Sequence, residues 1–422
     1  MNEQAFSLIM GLLIGDAVGY PLGSLGKGHI RSTLGSVSGL TDPAEALKGH
    51  IERWKKPGLL SASGQLSLCA AAASRGRELS SAQLSTAIGS SGEGGISGTG
   101  PFRTPSRALR AYISNAYGAQ IIAAPAASAA MLPVCAAASI AVSVNRSLDG
   151  GECAAFTASL GGDADTAVAA ELLSLVIEQC VHGGDFPGIS VFSSAADGML
   201  DWCRSHEPVL FAAGFNPVTA IQSAQELSQL FRSLEGCASL TAGEEIIVNA
   251  VNRRVKTPVT RATVDHPFAV LPFAVLLAQL NRGLPLQALF RAAEEGGESA
   301  ALCSLVGALL CSENDPLEAF AAVFTSLVGR RELQPLAERI AAGTASPKEI
   351  APYLSAELSL TSKENEEREA RMKHGKVSAP PRKKDRREQE RSLTKHVVES
   401  WTKADKARWK KERRRMEGEM EE

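Results

Sequence analysis

The chain has 422 residues, 44% of them hydrophobic and 21% charged, with a formal net charge of −2. That balance supplies ample material for a buried core, enough for one large domain with an appendage or for two or three ordinary domains. Eight cysteines with no C-x-x-C pair and no zinc spacing argue against a disulfide framework or a zinc site, and place the chain in a reducing, cytoplasmic compartment.

The first element is the apolar run Phe6 to Val18. It lacks a basic leader and Asp16 interrupts it, so it reads as neither a signal peptide nor a membrane span. Gly11, Gly15 and Gly19 form a ladder of small residues at intervals of four, which would let a partner helix approach closely. Asp16 lies on the same helix; there it must be hydrogen-bonded or paired if buried. Next come Ser61-Ala62-Ser63-Gly64-Gln65-Leu66 and the glycine-rich stretch Gly89 to Gly100. Gly98, Thr99 and Gly100 in that stretch could wrap phosphates with backbone N–H groups, or simply form a flexible loop. The stretch does not fit G-x-x-x-x-G-K-[ST], so no P-loop nucleotidase is indicated.

Leu132-Pro133 leads through an apolar helix to Gly161-Gly162-Asp163-Ala164-Asp165-Thr166. Asp163 and Asp165 are candidate cation ligands, although acids in a first helical turn also favour the helix dipole. Helical spacing then marks Ala167 to Val181, Pro267 to Leu280, Leu286 to Ala293, Ala300 to Leu310 and Pro316 to Val328, with a loop from Gly184 to Ser190. Leu271-Pro272 leads to a second Gly-Gly turn, Gly296-Gly297-Glu298-Ser299, a weak internal echo of the first. Alternating strands are absent, so the expectation is an all-α fold, a compact multi-helix domain over 1–357.

Residues 358–422 read as a charged tail, helical or disordered. From Thr361 to Glu422 there are 20 Lys/Arg against 14 Asp/Glu, while the body carries 24 against 32. The segment 382–415 holds 15 basic and 6 acidic residues with Trp401 and Trp409, which suits RNA or an acidic protein surface as partner and equally suits a solvated extension. No membrane partner is expected.

Four stretches, in order, resemble the ADP-ribosylglycohydrolase family. Gly11-Leu12-Leu13-Ile14-Gly15-Asp16-Ala17-Val18-Gly19 is close to that family's opening G-x-x-x-G-D-A-x-G. Ser61-Ala62-Ser63-Gly64 stands in the place of T-D-D-T. Ala127-Ser128-Ala129-Ala130-Met131-Leu132-Pro133 is similar to an N-G-A-A-M-R-x-x-P segment, and Gly296-Gly297-Glu298-Ser299-Ala300-Ala301 stands in the place of G-G-D-T-D-T. The resemblance implies an all-helical fold with a cleft holding two Mg²⁺ ions, and hydrolysis of the glycosidic bond of ADP-ribose. Mg²⁺ calls for oxygen ligands, chiefly carboxylates, in near-octahedral array.

The chain departs from those metal motifs: Glu298 is the one acid left of the four expected ligands. The expected function is therefore a family member with a degenerate dimetal site, binding ADP-ribose or a nucleotide or acting as a scaffold, with no cofactor. Ser61, Ser299, Asp16, Gly98, Thr99 and Gly100 would line the substrate site; the catalytic residues are unassigned. Two alternatives stand. One is an active hydrolase with a Mg²⁺ site rebuilt from Asp163, Asp165 and Glu298. The other is a nucleic-acid- or ribosome-associated adaptor acting through the tail.

Overall fold

Asn2 caps the opening helix, its side-chain oxygen accepting from Ala5 N–H at 2.9 Å, and the helix that follows is apolar on every face. Such a helix has no side to present to water. The stretch Glu3–Leu22 has the length and mean hydropathy (1.6) of a membrane span, yet 94% of its most apolar window is buried inside the protein. It is a core helix.

A computed structural model describes residues 1–74, 79–92, 99–184 and 186–375. These residues form nineteen α-helices with short 3₁₀ turns and no strand, so the fold is all-α. Around the candidate site stand α1 (Glu3–Gly19), α2 (Ala62–Ala73), α3 (Leu132–Ser143), α4 (Ala164–Val181), α5 (Pro267–Leu280), α6 (Ser299–Leu310) and α7 (Ile350–Gly375). The described residues of 1–48 and 53–368 form one compact unit.

The glycine ladder is packing. A Cβ built on Gly11 would lie 2.4 Å from Gly307 O, one on Gly15 2.0 Å from Cys303 O, and one on Gly19 2.1 Å from Ser299 O. Three rungs of α1 thus lie backbone to backbone along α6. Ser299 Oγ donates to Gly19 O at 2.7 Å and fixes the register of the pair.

Both Gly-Gly turns open helices by taking left-handed backbone angles that other residues resist. Gly161 has φ 88°, and Gly296 and Gly297 have φ 67° and 62°. Each turn also bridges to a crossing segment, Ala126 with Gly162 and Gly26 with Gly296. The echo between the two halves stops there. Pro133 occupies the first turn of α3, where its missing N–H is harmless, whereas Pro272 sits inside α5.

Predicted and observed helices coincide at α5 and differ by one to three residues at α4 and α6. The expected helix Pro316 to Val328 is instead two single turns, Pro316–Ala319 and Ala321–Phe324. Phe320 between them leaves the helical region (φ −118°, ψ 23°) and its ring is wholly buried. At the other end, the composition boundary at 357/358 falls inside α7. Glu357 and Glu364, one heptad apart on its inner face, are 3% and 1% exposed. Charge alone suggested a solvated segment; buried partners for these two acids make the helix part of the body through Arg368. The basic segment 382–415 and its two tryptophans lie outside the described residues.

Candidate functional site

The start of α2 is built around Asp16. Ser61 caps α2 with its hydroxyl, accepting from Ser63 N–H (3.1 Å) and Gly64 N–H (3.3 Å). Its own N–H and O–H both donate to the Asp16 carboxylate, each at 2.6 Å. A Cβ on Gly64 would meet Asp16 Oδ2 at 2.5 Å, so only glycine leaves room for this anion against the helix N-terminus. Burial pushes the Asp16 carboxyl up to about 6, against the pull of Ser61, Gly64 and the Arg103 charge. Ser63 Oγ is likewise engaged, donating to Ala130 O at 2.6 Å.

The start of α6 carries Glu298. The Glu298 N–H donates to Thr263 O at 2.9 Å, and a Cβ on Gly297 would sit 2.2 Å from the same oxygen. That contact presses the segment ahead of α5 onto the turn and brings in Asp265, a residue no motif singled out. Asp265 accepts from Ala129 N–H (2.7 Å) and Ser128 Oγ (3.1 Å). Burial first, then the neighbouring Asp265 charge, raise the Glu298 carboxyl to about 7, while Lys55 pulls it back. Burial also raises Asp265, which hydrogen bonds and His266 partly offset.

The other predicted residues are placed elsewhere or used differently. Ser299 is spent on Gly19, so it is a packing residue and not a substrate contact. Thr99 O accepts from Phe102 N–H at 3.1 Å in a turn where Gly100 has φ 54°; Gly98 lies outside the described residues. Asp163 caps α4, accepting from Thr166 N–H and Thr166 Oγ1, both at 3.0 Å. Asp165 is the hub of an ion-pair network. It receives Arg254 Nε at 2.7 Å, Arg254 Nη2, and Ser223 Oγ at 2.6 Å, with His266 Nε2 at 3.5 Å. The triad Asp163, Asp165 and Glu298 therefore does not assemble as a metal site, because both aspartates already have protein donors. Among the described residues, no cluster of three His, Cys, Asp or Glu could hold a metal.

Asp165 makes a measurable prediction. Burial would raise its carboxyl, but His266, Arg254 and Ser223 outweigh that and hold it at about 2, below the ordinary 3.8. A depressed pKa stabilises the fold above the unfolded value and is lost as pH falls through the folded one. Urea denaturation should show about 2 kcal/mol fading between roughly pH 4 and pH 2. Asp165→Asn should be less stable by a similar amount at pH 7 and show a flatter acid limb; an unchanged limb would refute the assignment.

A second buried network lies behind Asp16. Arg103, 2% exposed, reaches Glu357 Oε2 at 2.7 Å and Leu60 O at 3.0 Å. Gln65 Nε2 donates to Glu357 at 2.6 Å, and Tyr20 OH donates to Glu364 at 3.1 Å. Arg103 lies in the stretch Gly95 to Leu109, which resembles the family's glycine-rich substrate loop, but nothing singles it out there; for the α7 acids the heptad spacing of Glu357 and Glu364 is the one local signal.

Most side-chain oxygens around this point already have protein partners. Asp16 accepts from Ser61 and Gly64, Ser63 and Ser299 point their hydroxyls at carbonyls, and Ala62, Ala300 and Ala301 offer no side-chain oxygen. What remains is the facing pair Glu298 and Asp265, with Lys55 acting on Glu298.

Comparison with known proteins bears on the ancestry of this arrangement. The family model described as ADP-ribosylglycohydrolase matches residues 2–349. No curated protein matches the chain. Among solved structures, one described as "ADP-ribosylglycohydrolase-related protein complex" is similar at 14% identity and a TM-score of 0.48, covering 81% of this chain and 98% of its own.

Proposed function

The chain belongs to the ADP-ribosylglycohydrolase family, and on that premise we propose that it keeps the family's cleft as a binding site for ADP-ribose or a nucleotide and has lost the two-metal hydrolysis. One observation carries the reading: the Asp16 carboxylate is engaged by Ser61 N–H and O–H, with Gly64 packed against it, at the position where α2 begins. Two-metal chemistry needs acidic oxygens left open for ions and for an activated water. Here the helix that would present them opens with a serine cap and an alanine. The protein then acts by holding a ligand or a modified partner, and the eight free cysteines suit a cytoplasmic setting.

Calorimetry tests this. ADP-ribose should bind the full chain with the same affinity in Mg²⁺ and in EDTA, and an ADP-ribosylated protein incubated with Mg²⁺ or Mn²⁺ should release no ADP-ribose at an enzymatic rate. Metal-dependent binding with turnover would overturn the reading. Binding of neither ADP-ribose nor a nucleotide would confine the protein to scaffolding. The alternative of a metal site rebuilt around Asp163 and Asp165 loses its support in the Arg254 pairing. Docking on RNA or an acidic surface through 382–415 rests on charge alone; deleting 382–422 should abolish RNA binding if the tail carries it.

A further inference from the structure

Lys55 stands on a segment that is strapped on both sides. The Trp54 side chain ahead of it is buried, its indole N–H donating to Asp42 Oδ1 at 2.7 Å. The Trp54 carbonyl accepts from Arg368 Nε at 2.8 Å, and Lys56 N–H donates to Glu364 Oε1 at 2.8 Å. Helix α7 thus grips the backbone immediately before and after Lys55. The family match ends at 349, so residues beyond it position this side chain.

The ammonium is held in turn. Lys55 Nζ donates to Gly23 O at 3.4 Å and lies 5.0 Å from the centroid of the Tyr20 ring. A Cβ on Gly23 would come within 2.9 Å of Nζ, and Ser24 N–H donates to Gly297 O at 3.1 Å. The charge therefore sits beside the turn that carries Glu298. Glu298, Glu364 and Asp16 are the anions acting on it, in that order, and Arg368 is the cation opposing them. Burial lowers the Lys55 pKa and those three anions resist the shift.

We propose that the Lys55 ammonium, held on Gly23 O beside the Gly297 turn, is the resident cation of this site, a counter-charge tethered to the chain that balances Glu298 and removes the site's need for dissociable divalent ions. A site of acidic residues must be neutralised by something, because like charges in a partly dry cleft repel strongly. A metal does so reversibly, and a lysine does so permanently. The inference rests on the reading that the metal pair is lost, and adds what replaced it.

The test uses the full-length protein and Mn²⁺ alone, followed by calorimetry and by thermal melting. Wild type should bind Mn²⁺ weakly and melt at the same temperature with or without it. Lys55→Ala, which removes the charge and opens room for a hydrated ion, should bind Mn²⁺ about tenfold more tightly or better and be stabilised by it. Lys55→Arg keeps the charge and should behave as wild type, and Glu298→Gln added to Lys55→Ala should abolish the gain. Equal Mn²⁺ binding by wild type and Lys55→Ala would overturn the proposal. So would a folded Lys55→Ala that gains nothing, or a Lys55→Arg that gains as much. If Lys55→Ala does not fold unaided, refolding in Mn²⁺ against NaCl of matched ionic strength decides: recovery in Mn²⁺ alone supports the proposal and no recovery refutes it. ADP-ribose binding by wild type, measured alongside, fails or succeeds independently of these ion responses.

Discussion

Gly15→Ala is expected to destabilise the protein by about 3 kcal/mol or more, near the top of the range for overpacking a core. The added methyl would lie 2.0 Å from Cys303 O and 2.5 Å from its carbonyl carbon. Both are backbone atoms of a buried helix, so no rotamer change can make way, and α1 and α6 must separate. Separation breaks the Ser299 to Gly19 hydrogen bond and moves the turn bearing Glu298 away from Asp16. Chemical denaturation of Gly15→Ala measures the cost. Gly28→Ala, where a Cβ meets nothing within 4 Å, is the control and should change stability by less than about 1 kcal/mol. Equal behaviour of the two variants would mean that the ladder is not a packing device.

That ladder was legible because its signal is local and periodic: three glycines at intervals of four in an apolar run admit few other uses. Helix α5 was legible for the same reason, with a proline to open it and an uninterrupted apolar run to its last turn. The site was harder. Asp16 and Glu298 stood out as acids beside glycine turns, yet their use depends on partners distant in sequence. Ser61 lies 45 residues from Asp16, and Arg254 lies 89 residues from Asp165. Asp165 was read as a metal ligand because Gly-Gly-Asp-Ala-Asp-Thr has the form of one, and nothing local announces an arginine on another helix. Lys55 and Asp265 come from irregular segments, where no period exists to give a face. Charge density says little about where the body ends, since a helix with many acids and bases looks solvated until two of its acids are shown to be buried.

Those two acids carry the other large effect. Arg103→Met is expected to cost about 3–5 kcal/mol, the range for leaving one partner of a buried ion pair uncompensated. Glu357 would keep Gln65 and lose its cation, and Glu364, which lies 3.9 Å from Arg103 Nε, would keep Tyr20 OH and the Lys56 N–H. Adding Glu357→Met to Arg103→Met should recover part of that loss, because the pair would then be replaced by apolar groups rather than broken. A double variant as unstable as the sum of its singles would show that the two side chains act separately. The same reasoning fixes where the domain must end. A chain stopped after Glu349, where the family match stops, leaves Arg103 buried without Glu357 and exposes the surface that Ile350 and Leu354, both wholly buried, now cover. It should fail to give a cooperative melting transition. If it melts as the full chain does, α7 is an ornament on an independent domain, and Arg103, Glu357 and the strap on Lys55 contribute nothing to the fold.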